Sequence, residues 1–370
     1  MDFRDTLVKN MKKLVVNIRS SLFLVVFVIL YQHAFTQVKD PNYAFRQNER
    51  LGRGGNIGNI LYKWDDWDKE REIEEMETMK KAGMTGIRIN TRPFLHMNKD
   101  PEYTFSWSEA NGYSEDSLFA KRPPYYISNA FFERLDWTVK EALERGFTVI
   151  IDNHQYRVMG KDPMALREMF IASWEQLSEH YKDYPDNVYF GLLNEPNNNL
   201  TPYLWNYFLM DVYPIVRESN PDRTLVIGPG NWNGFSGLEE LKLPEDDRNI
   251  IVEVHYYSPH KFTHQGVNGN PSGVTWRGTP EEKQAVEEDF RKAAEWGKQH
   301  NRPLFLGEFG VINKADQESA VKWLKFVVEQ MEKYHMSWSM WDLMGSNMGV
   351  YDEESRTWIQ HRKDAILPPD

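Results

Sequence analysis

A chain of 370 residues without cysteine carries neither a disulfide framework nor a thiolate metal site, and it is long enough to bury a deep core. Its formal charge of −11 disfavours nucleic acid, anionic membranes and acidic polysaccharides as partners and leaves neutral molecules open.

The first 36 residues have the pattern of an export signal. Lys9, Lys12, Lys13 and Arg19 precede the apolar run LFLVVFVIL at 22–30, and small Ala34 and Thr36 follow. A membrane span needs roughly 20 apolar residues, more than this run offers. Cleavage is expected near Thr36-Gln37, with the product secreted or periplasmic and keeping no stable membrane partner. Removing the segment's net +3 leaves a mature charge of about −14. Residues 37–370 show no Pro/Ser/Thr-rich linker or internal repeat, so one domain is expected there.

Short β-branched runs then alternate with long amphipathic stretches, the signature of a parallel sheet with crossover helices. The predicted strands are GRGGNIGN near 52–59, TGIRIN at 85–90, FTVIID at 147–152 and VYFGLLN at 188–194. TLVIG at 224–228, IIVEVH at 250–255, PLFLGE at 303–308 and SWSMW at 337–341 follow. Helical spacing is cleanest at Ala320, Trp323, Leu324, Val327, Val328 and Met331, and it recurs at Phe132, Leu135, Val139 and Ala142. Helix ends are marked by Lys81-Ala82-Gly83, Arg145-Gly146 and Asn220-Pro221-Asp222. Eight such units predict an α/β fold, a single (β/α)8 TIM barrel whose long connections at 91–127 and 256–280 build the substrate face.

The unusual polar residues fall at strand C-terminal ends: Arg88, His154, Asn194, Glu195, His255, Tyr257 and Glu308, with Trp341 closing the last strand. In a barrel these ends converge on one face, and ionisable groups that follow apolar runs are costly unless they meet partners there. Two carboxylates on separate strands are what glycosidic cleavage requires. One protonates the leaving oxygen; the other meets the positive charge developing at the anomeric carbon. That division needs unequal pKa values, and Arg88 and Tyr257 are the candidates for keeping the nucleophile ionised. The chain is 14% aromatic, with 13 Trp and 18 Tyr, so rings beyond those needed by the core are available as platforms for sugar C–H faces.

The motifs resemble those of glycoside hydrolase family 5, the group that holds many cellulases and mannanases, from GRGGNIGN to the MGVYD at 348–352. LLNEPN is similar to the family's Asn-Glu-Pro at the fourth strand, which implies Glu195 as acid/base and Asn194 as ligand of the sugar 2-hydroxyl. LFLGEFG resembles its nucleophile segment, implying Glu308. VEVHYYSPHKFTHQG matches its His-x-Tyr, implying His255 and Tyr257 as binding residues. GIRIN and VIIDNHQY offer Arg88 and His154, and SWSMWDL offers Trp341 as the floor of the reacting subsite. Many relatives carry a second His where this chain has Gln155, so one binding contact differs.

Other readings of single residues stand beside these. His255, His260 and His264 are considered as metal ligands, but their loop lacks a convincing ligand spacing. Tyr103, Phe105 and Trp107 have period two and suit either a hairpin or a subsite lining; Trp338 alternates away from Trp341 and belongs to the core. Asp152 and Glu253 suit barrel-interior partners better than catalysts. The activity expected is that of a retaining endo-β-1,4-glucanase acting without cofactor or metal on a neutral β-linked polysaccharide or oligosaccharide. A β-mannanase or mixed-linkage glucanase shares the same residues. A non-catalytic polysaccharide-binding barrel and a metal-dependent hydrolase are the alternatives from other classes.

Overall fold

The computed structural model describes residues 40–58, 67–105, 115–267, 269–344, 347–352 and 354–367. The export segment expected at 1–36 lies outside them. Among the described residues no helix is long and apolar enough to cross a membrane.

The unit Asn42–Asp370 is a closed barrel of eight parallel strands. They are β1 Arg53–Ile57, β2 Gly86–Thr91, β3 Thr148–Asn153, β4 Val188–Gly191, β5 Leu225–Ile227, β6 Ile250–Tyr256, β7 Leu304–Phe309 and β8 Ser337–Met340. Each pairs with its sequence neighbours, and β8 closes on β1, so the predicted TIM barrel is the observed fold. All eight predicted strands are present. The largest difference is at β4, which ends at Gly191, so that Leu192, Leu193 and Asn194 already belong to the turn.

Around the barrel run α1 Tyr43–Leu51, α2 Lys69–Lys81, α3 Asn129–Glu144, α4 Pro163–His180, α5 Pro202–Ser219, α6 Pro280–His300 and α7 Gln317–Lys333. Their starts are chemically marked. Ser128, Asp162, Thr201 and Asp316 each accept a backbone N–H of the first turn, and Thr279 forms a capping box with Glu282. Gly83 and Gly146, both at φ +78°, terminate α2 and α3 as their sequences suggest. The stripe Ala320 to Met331 on α7 is buried throughout, whereas on α3 Phe131 is fully buried and Phe132 only partly.

Strand side chains alternate between two environments. Outward residues such as Val149, Val252, Leu306 and Trp338 pack under the helices, which makes Trp338 core as expected. Inward residues Ile150, Tyr189, Val226, Ile251 and Phe305 form a separate apolar layer with Ala44 and Leu51 of α1. The Tyr189 hydroxyl donates to Gln47 Oε1 at 2.5 Å, fixing α1 beneath the strands. Above that layer the inward positions turn polar: Asn56, Arg88, Asp152 and Glu253 are all buried.

The two long connections differ from each other. In 91–127, Met97–Asn98 pairs with Tyr126–Ile127, so the hairpin uses these residues and not Tyr103 and Phe105; Trp107 lies outside the described residues. Lys121 ties this loop down by donating to the carbonyls of Phe94, Leu95 and Met97. In 256–280, the Gln265 side chain clamps the backbone of Phe262, Gly273 and Val274, and Trp276 is buried against Phe326.

Candidate active site

Inward parity decides which strand residues reach the barrel mouth. On β3 the series Ile150, Asp152, His154 climbs one face, and on β6 Ile251, Glu253, His255 does the same. On β7 the same parity points Phe305 and Gly307 inward and would send Glu308 outward. Pairing of β6 with β7 slips between Val254 and His255: Val254 faces Leu306, His255 faces Glu308, and Gly307 is the extra residue. This bulge reverses the parity and aims Glu308 into the mouth. Gly307 is also sterically required, because a Cβ there would lie 1.9 Å from Glu253 Oε1.

Glu195 reaches the same mouth by a different route. It sits at φ 44°, a left-handed conformation uncommon for a residue with a side chain, on the turn that follows β4. Asn197 Nδ2 donates to the Glu195 carbonyl at 2.7 Å, and Trp232 N donates to Pro196 O at 3.0 Å, which holds the turn. One carboxylate oxygen of Glu195, one of Glu308 and one ring nitrogen of His255 all lie within 4.8 Å of one another. No other His/carboxylate group of three or more with this compactness occurs among the described residues.

Arg88 is fully buried at the centre of the network. Its Nη1 donates to Asn56 Oδ1 at 2.9 Å and to Glu308 Oε1 at 3.3 Å, and Nη2 donates to Asn194 Oδ1 at 2.7 Å. Two ion pairs complete its surroundings, Nη2 to Asp152 Oδ1 at 3.0 Å and Nε to Glu253 Oε1 at 2.8 Å, both out of hydrogen-bond alignment. Burial opposes the charge, but Asp152, Glu253, Glu308 and Glu195 outweigh it and hold the guanidinium in its charged form. Asn56 was not assigned from sequence. Its Nδ2 donates to the carbonyls of Gly307 and Met340, so it sets both the Arg88 fork and the bulge.

The second oxygen of Glu308 accepts from the Tyr257 hydroxyl at 3.0 Å and lies 3.7 Å from His255 Nδ1. Burial nevertheless pushes the Glu308 carboxyl up, to about 7. His255 and Arg88 pull it down, and Glu195 and Glu253 push the same way as burial. Arg88 and Tyr257 do reach the two oxygens of Glu308, and Arg88 favours the ionised form, but burial and the neighbouring carboxylates outweigh that pull in the free site. Arg88 shares its charge among several buried carboxylates and cannot serve Glu308 alone.

His255 lies between the glutamates. Its Nδ1 is 2.8 Å from Glu195 Oε1 and its Nε2 is 3.3 Å from Glu253 Oε1. Burial disfavours the imidazolium, yet Glu308, Glu195 and Glu253 together raise its pKa to about 10. With acceptors at both nitrogens the ring is a double donor, and a metal ligand would have to surrender that proton. His260 and His264 stand apart from it; they stack on each other at 4.1 Å, their Nδ1 atoms facing Asn270 and Thr263.

His154 completes a closed ring. Arg88 occupies Asn194 Oδ1, so Asn194 presents Nδ2 to His154 Nε2 at 3.4 Å, and His154 Nδ1 carries its proton towards Asp152 Oδ2 at 2.8 Å. Burial, reinforced by Arg88, holds His154 well below the usual imidazole range, hence neutral. Burial also raises Asp152, against the pull of Arg88. The Trp341 indole lies parallel to the His154 ring, 3° between planes, and is partly exposed in the mouth. Gln155 is buried with its Oε1 unpartnered.

One further aromatic was missed from sequence. Trp232, 44% exposed, sits on three consecutive left-handed residues, Asn231, Trp232 and Asn233, directly after β5. Its ring meets Tyr156 edge-on, and its backbone touches the Glu195 turn. The signal available in the sequence was GNWNG, a Trp between two Asn residues that tolerate positive φ.

A parallel eightfold barrel with two glutamates facing one another across its C-terminal mouth, among a buried Arg, His, Asn and Tyr and flanked by two indoles open to solvent in part or more, defines the class: a glycoside hydrolase. Comparison with known proteins gives the family. The family model for cellulase (glycosyl hydrolase family 5) matches residues 53–347. Endoglucanase H of Acetivibrio thermocellus is 31% identical over 333 residues, covering 88% of this chain and 34% of that longer protein. Cel5A of Thermotoga maritima in complex with cellobiose superposes with a TM-score of 0.77 at 38% identity, covering 88% of this chain and 100% of that one. The same enzyme in complex with mannotriose gives 0.76 at 37%, with equal coverage. The chain belongs to glycoside hydrolase family 5 and is endoglucanase-like.

Proposed function

We propose that this protein is an exported, retaining endo-β-1,4-glucanase in which Glu195 is the acid/base and Glu308 the nucleophile. The observation that carries the reading is the approach of the two carboxylates, with oxygens within 4.8 Å of one another. A separation near 5–5.5 Å fits direct attack by one carboxylate, whereas about 6.5–9.5 Å leaves room for an intervening water.

In the first step Glu308 attacks the anomeric carbon while Glu195 gives its proton to the glycosidic oxygen. The aglycone leaves and a glycosyl ester forms on Glu308. In the second step Glu195, now ionised, takes a proton from water, which displaces Glu308 and restores the original configuration. Arg88 and Tyr257 each grip one oxygen of Glu308 and stabilise it again as it leaves. Asn194, oriented by Arg88, directs one Nδ2 hydrogen at His154 Nε2 and keeps the other for the sugar 2-hydroxyl. Trp341 supplies a flat wall to the reacting sugar and Trp232 one on the Glu195 side, where the leaving chain departs.

A β-mannanase reading shares this machinery, and it is favoured by one observation: Cel5A of Thermotoga maritima has been captured with mannotriose as well as cellobiose. Sugar release from carboxymethyl cellulose, barley β-glucan, glucomannan and mannan, measured side by side, separates the readings. Hydrolysis of mannan alone overturns the glucanase assignment, and hydrolysis of none overturns the enzyme. Trapping with a 2-fluoro glycoside followed by peptide mass spectrometry should find the sugar on Glu308. N-terminal sequencing of the exported product tests cleavage near Thr36.

A further inference from the structure

The polar interior carries more acid than the two-carboxylate mechanism uses. Among the described residues, the cations paired with Asp152, Glu195, Glu253 and Glu308 are Arg88 and His255. Glu253, like Asp152, is almost fully buried, and it is the one that lies behind His255. It is 1% exposed, two residues before His255 on the same inward face of β6, and its Oε1 meets Arg88 Nε at 2.8 Å and His255 Nε2 at 3.3 Å. Space for that carboxylate exists because residue 307 has no Cβ. One anion thus stands behind both cations, and each cation in turn faces the reacting pair. Arg88 reaches Glu308, while His255 reaches Glu195 at 2.8 Å and Glu308 at 3.7 Å.

We propose that Glu253 is a positioning residue: by accepting the Nε2–H of His255 it fixes the ring and its charge, and through that imidazolium it sets the pH range in which Glu195 and Glu308 work. The inference rests on the reading of Glu195 and Glu308 as the catalytic pair. The alternative role, filling space beneath Arg88, would need only volume. What Glu253 supplies beyond volume is an acceptor for the rear nitrogen of His255. A neutral ring with its proton on Nε2 would offer Glu195 a lone pair in place of a donor.

The groups that face His255 come from five elements. They are Glu253 on β6 itself, Glu308 on β7, Glu195 after β4, Arg88 on β2 through their shared Glu253 oxygen, and Asp152 on β3 with neutral His154 just past its end. Asn233, after β5, is the uncharged neighbour, its Nδ2 3.5 Å from Nε2. Glu253 itself is held below the usual carboxylate range: burial raises it, but Arg88 and His255 outweigh burial, so it is an anion throughout the working range.

The test compares the intact protein with Glu253→Gln and Glu253→Ala, using kcat and kcat/KM on an aryl β-cellobioside as functions of pH. Glu253→Gln keeps the shape and removes one negative charge. With that anion gone His255 holds its proton less tightly, and where the ring turns neutral Glu195 and Glu308 lose the cation that favours their ionised forms, so both limbs of the kcat/KM profile should move to higher pH by about one unit. Glu253→Ala also frees the ring to turn, and kcat should fall about 10- to 100-fold with KM little changed. A readout independent of catalysis, and of any variant, is the nitrogen NMR signature of the His255 ring. In the intact protein both nitrogens should stay protonated well above neutral pH. If Glu253→Gln leaves both limbs in place or moves them to lower pH, or if wild-type His255 titrates near the ordinary imidazole value of about 6.5, the proposal is overturned. Wild-type protein that hydrolyses no glycoside would instead defeat the catalytic reading, and the ring signature would still report on Glu253.

Discussion

Tyr257→Phe isolates one interaction at the nucleophile. The hydroxyl donates to Glu308 Oε2 at 3.0 Å, and Arg88 and His255 reach the same carboxylate only at 3.3 and 3.7 Å. A hydrogen bond to a charged acceptor contributes about 1.5–3 kcal/mol, and 1.36 kcal/mol corresponds to one pKa unit, so its loss should raise Glu308 by about one to two units. The starting value is already about 7 because burial and the neighbouring carboxylates push it up. The rate needs Glu308 ionised and is lost as pH falls through its pKa, so the acidic limb should move to higher pH by that amount. At about pH 6 the ionised fraction, and with it kcat/KM, should fall roughly 10- to 100-fold. The assay is kcat/KM on an aryl β-cellobioside across the acidic range, with thermal unfolding run in parallel to show that Phe is accepted. An acidic limb that stays in place, or moves to lower pH, refutes the account of how Glu308 is held.

Glu195→Gln should flatten the alkaline limb and slow substrates with poor leaving groups far more than activated aryl glycosides; an unchanged profile removes Glu195 from the acid/base role. Arg88→Met leaves Asp152 and Glu253 buried without their cation, which should cost about 3–5 kcal/mol in chemical unfolding; a loss below about 1 kcal/mol would mean that those acids are neutral in the fold. Trp232→Ala should raise KM for long oligosaccharides while hardly changing hydrolysis of a short aryl glycoside, because only the leaving-chain side loses a stacking surface; equal effects on both would place the ring elsewhere. Thr279→Ala removes the α6 capping box and should lower stability by about 1 kcal/mol with activity intact, read from denaturant midpoints.

Much of this was legible in the sequence because it depends on local periodicity. Strands β2, β3 and β6 announce themselves as β-branched runs, and on β3 and β6 the alternation that buries Ile150 and Ile251 also carries Asp152, His154, Glu253 and His255 inward. Once eight such runs are counted, chain closure brings their C-terminal ends to one rim, so the segments that carry Arg88, His154, Glu195, His255, Tyr257 and Glu308 gather there, while the direction of each side chain is still to be decided. The period-two stretch at Tyr103 and Phe105, open in the sequence to a hairpin or a subsite lining, is not where the loop's hairpin forms: Met97–Asn98 pairs with the distant Tyr126–Ile127, and period two alone cannot choose a partner.

Three features required the tertiary structure. Parity would send Glu308 out of the barrel, and only the slip at Gly307, visible in the register against β6, turns it inwards. The sequence contains Asn56 and Trp232 but not their partners, since hydrogen bonds from Asn56 to Gly307 and Met340 span more than two hundred residues. The protonation pattern, finally, is a property of the assembled charges. Four carboxylates around Arg88 and His255 compete for two cations in a buried space, and the outcome follows from distances that arise only when the strands close into a ring.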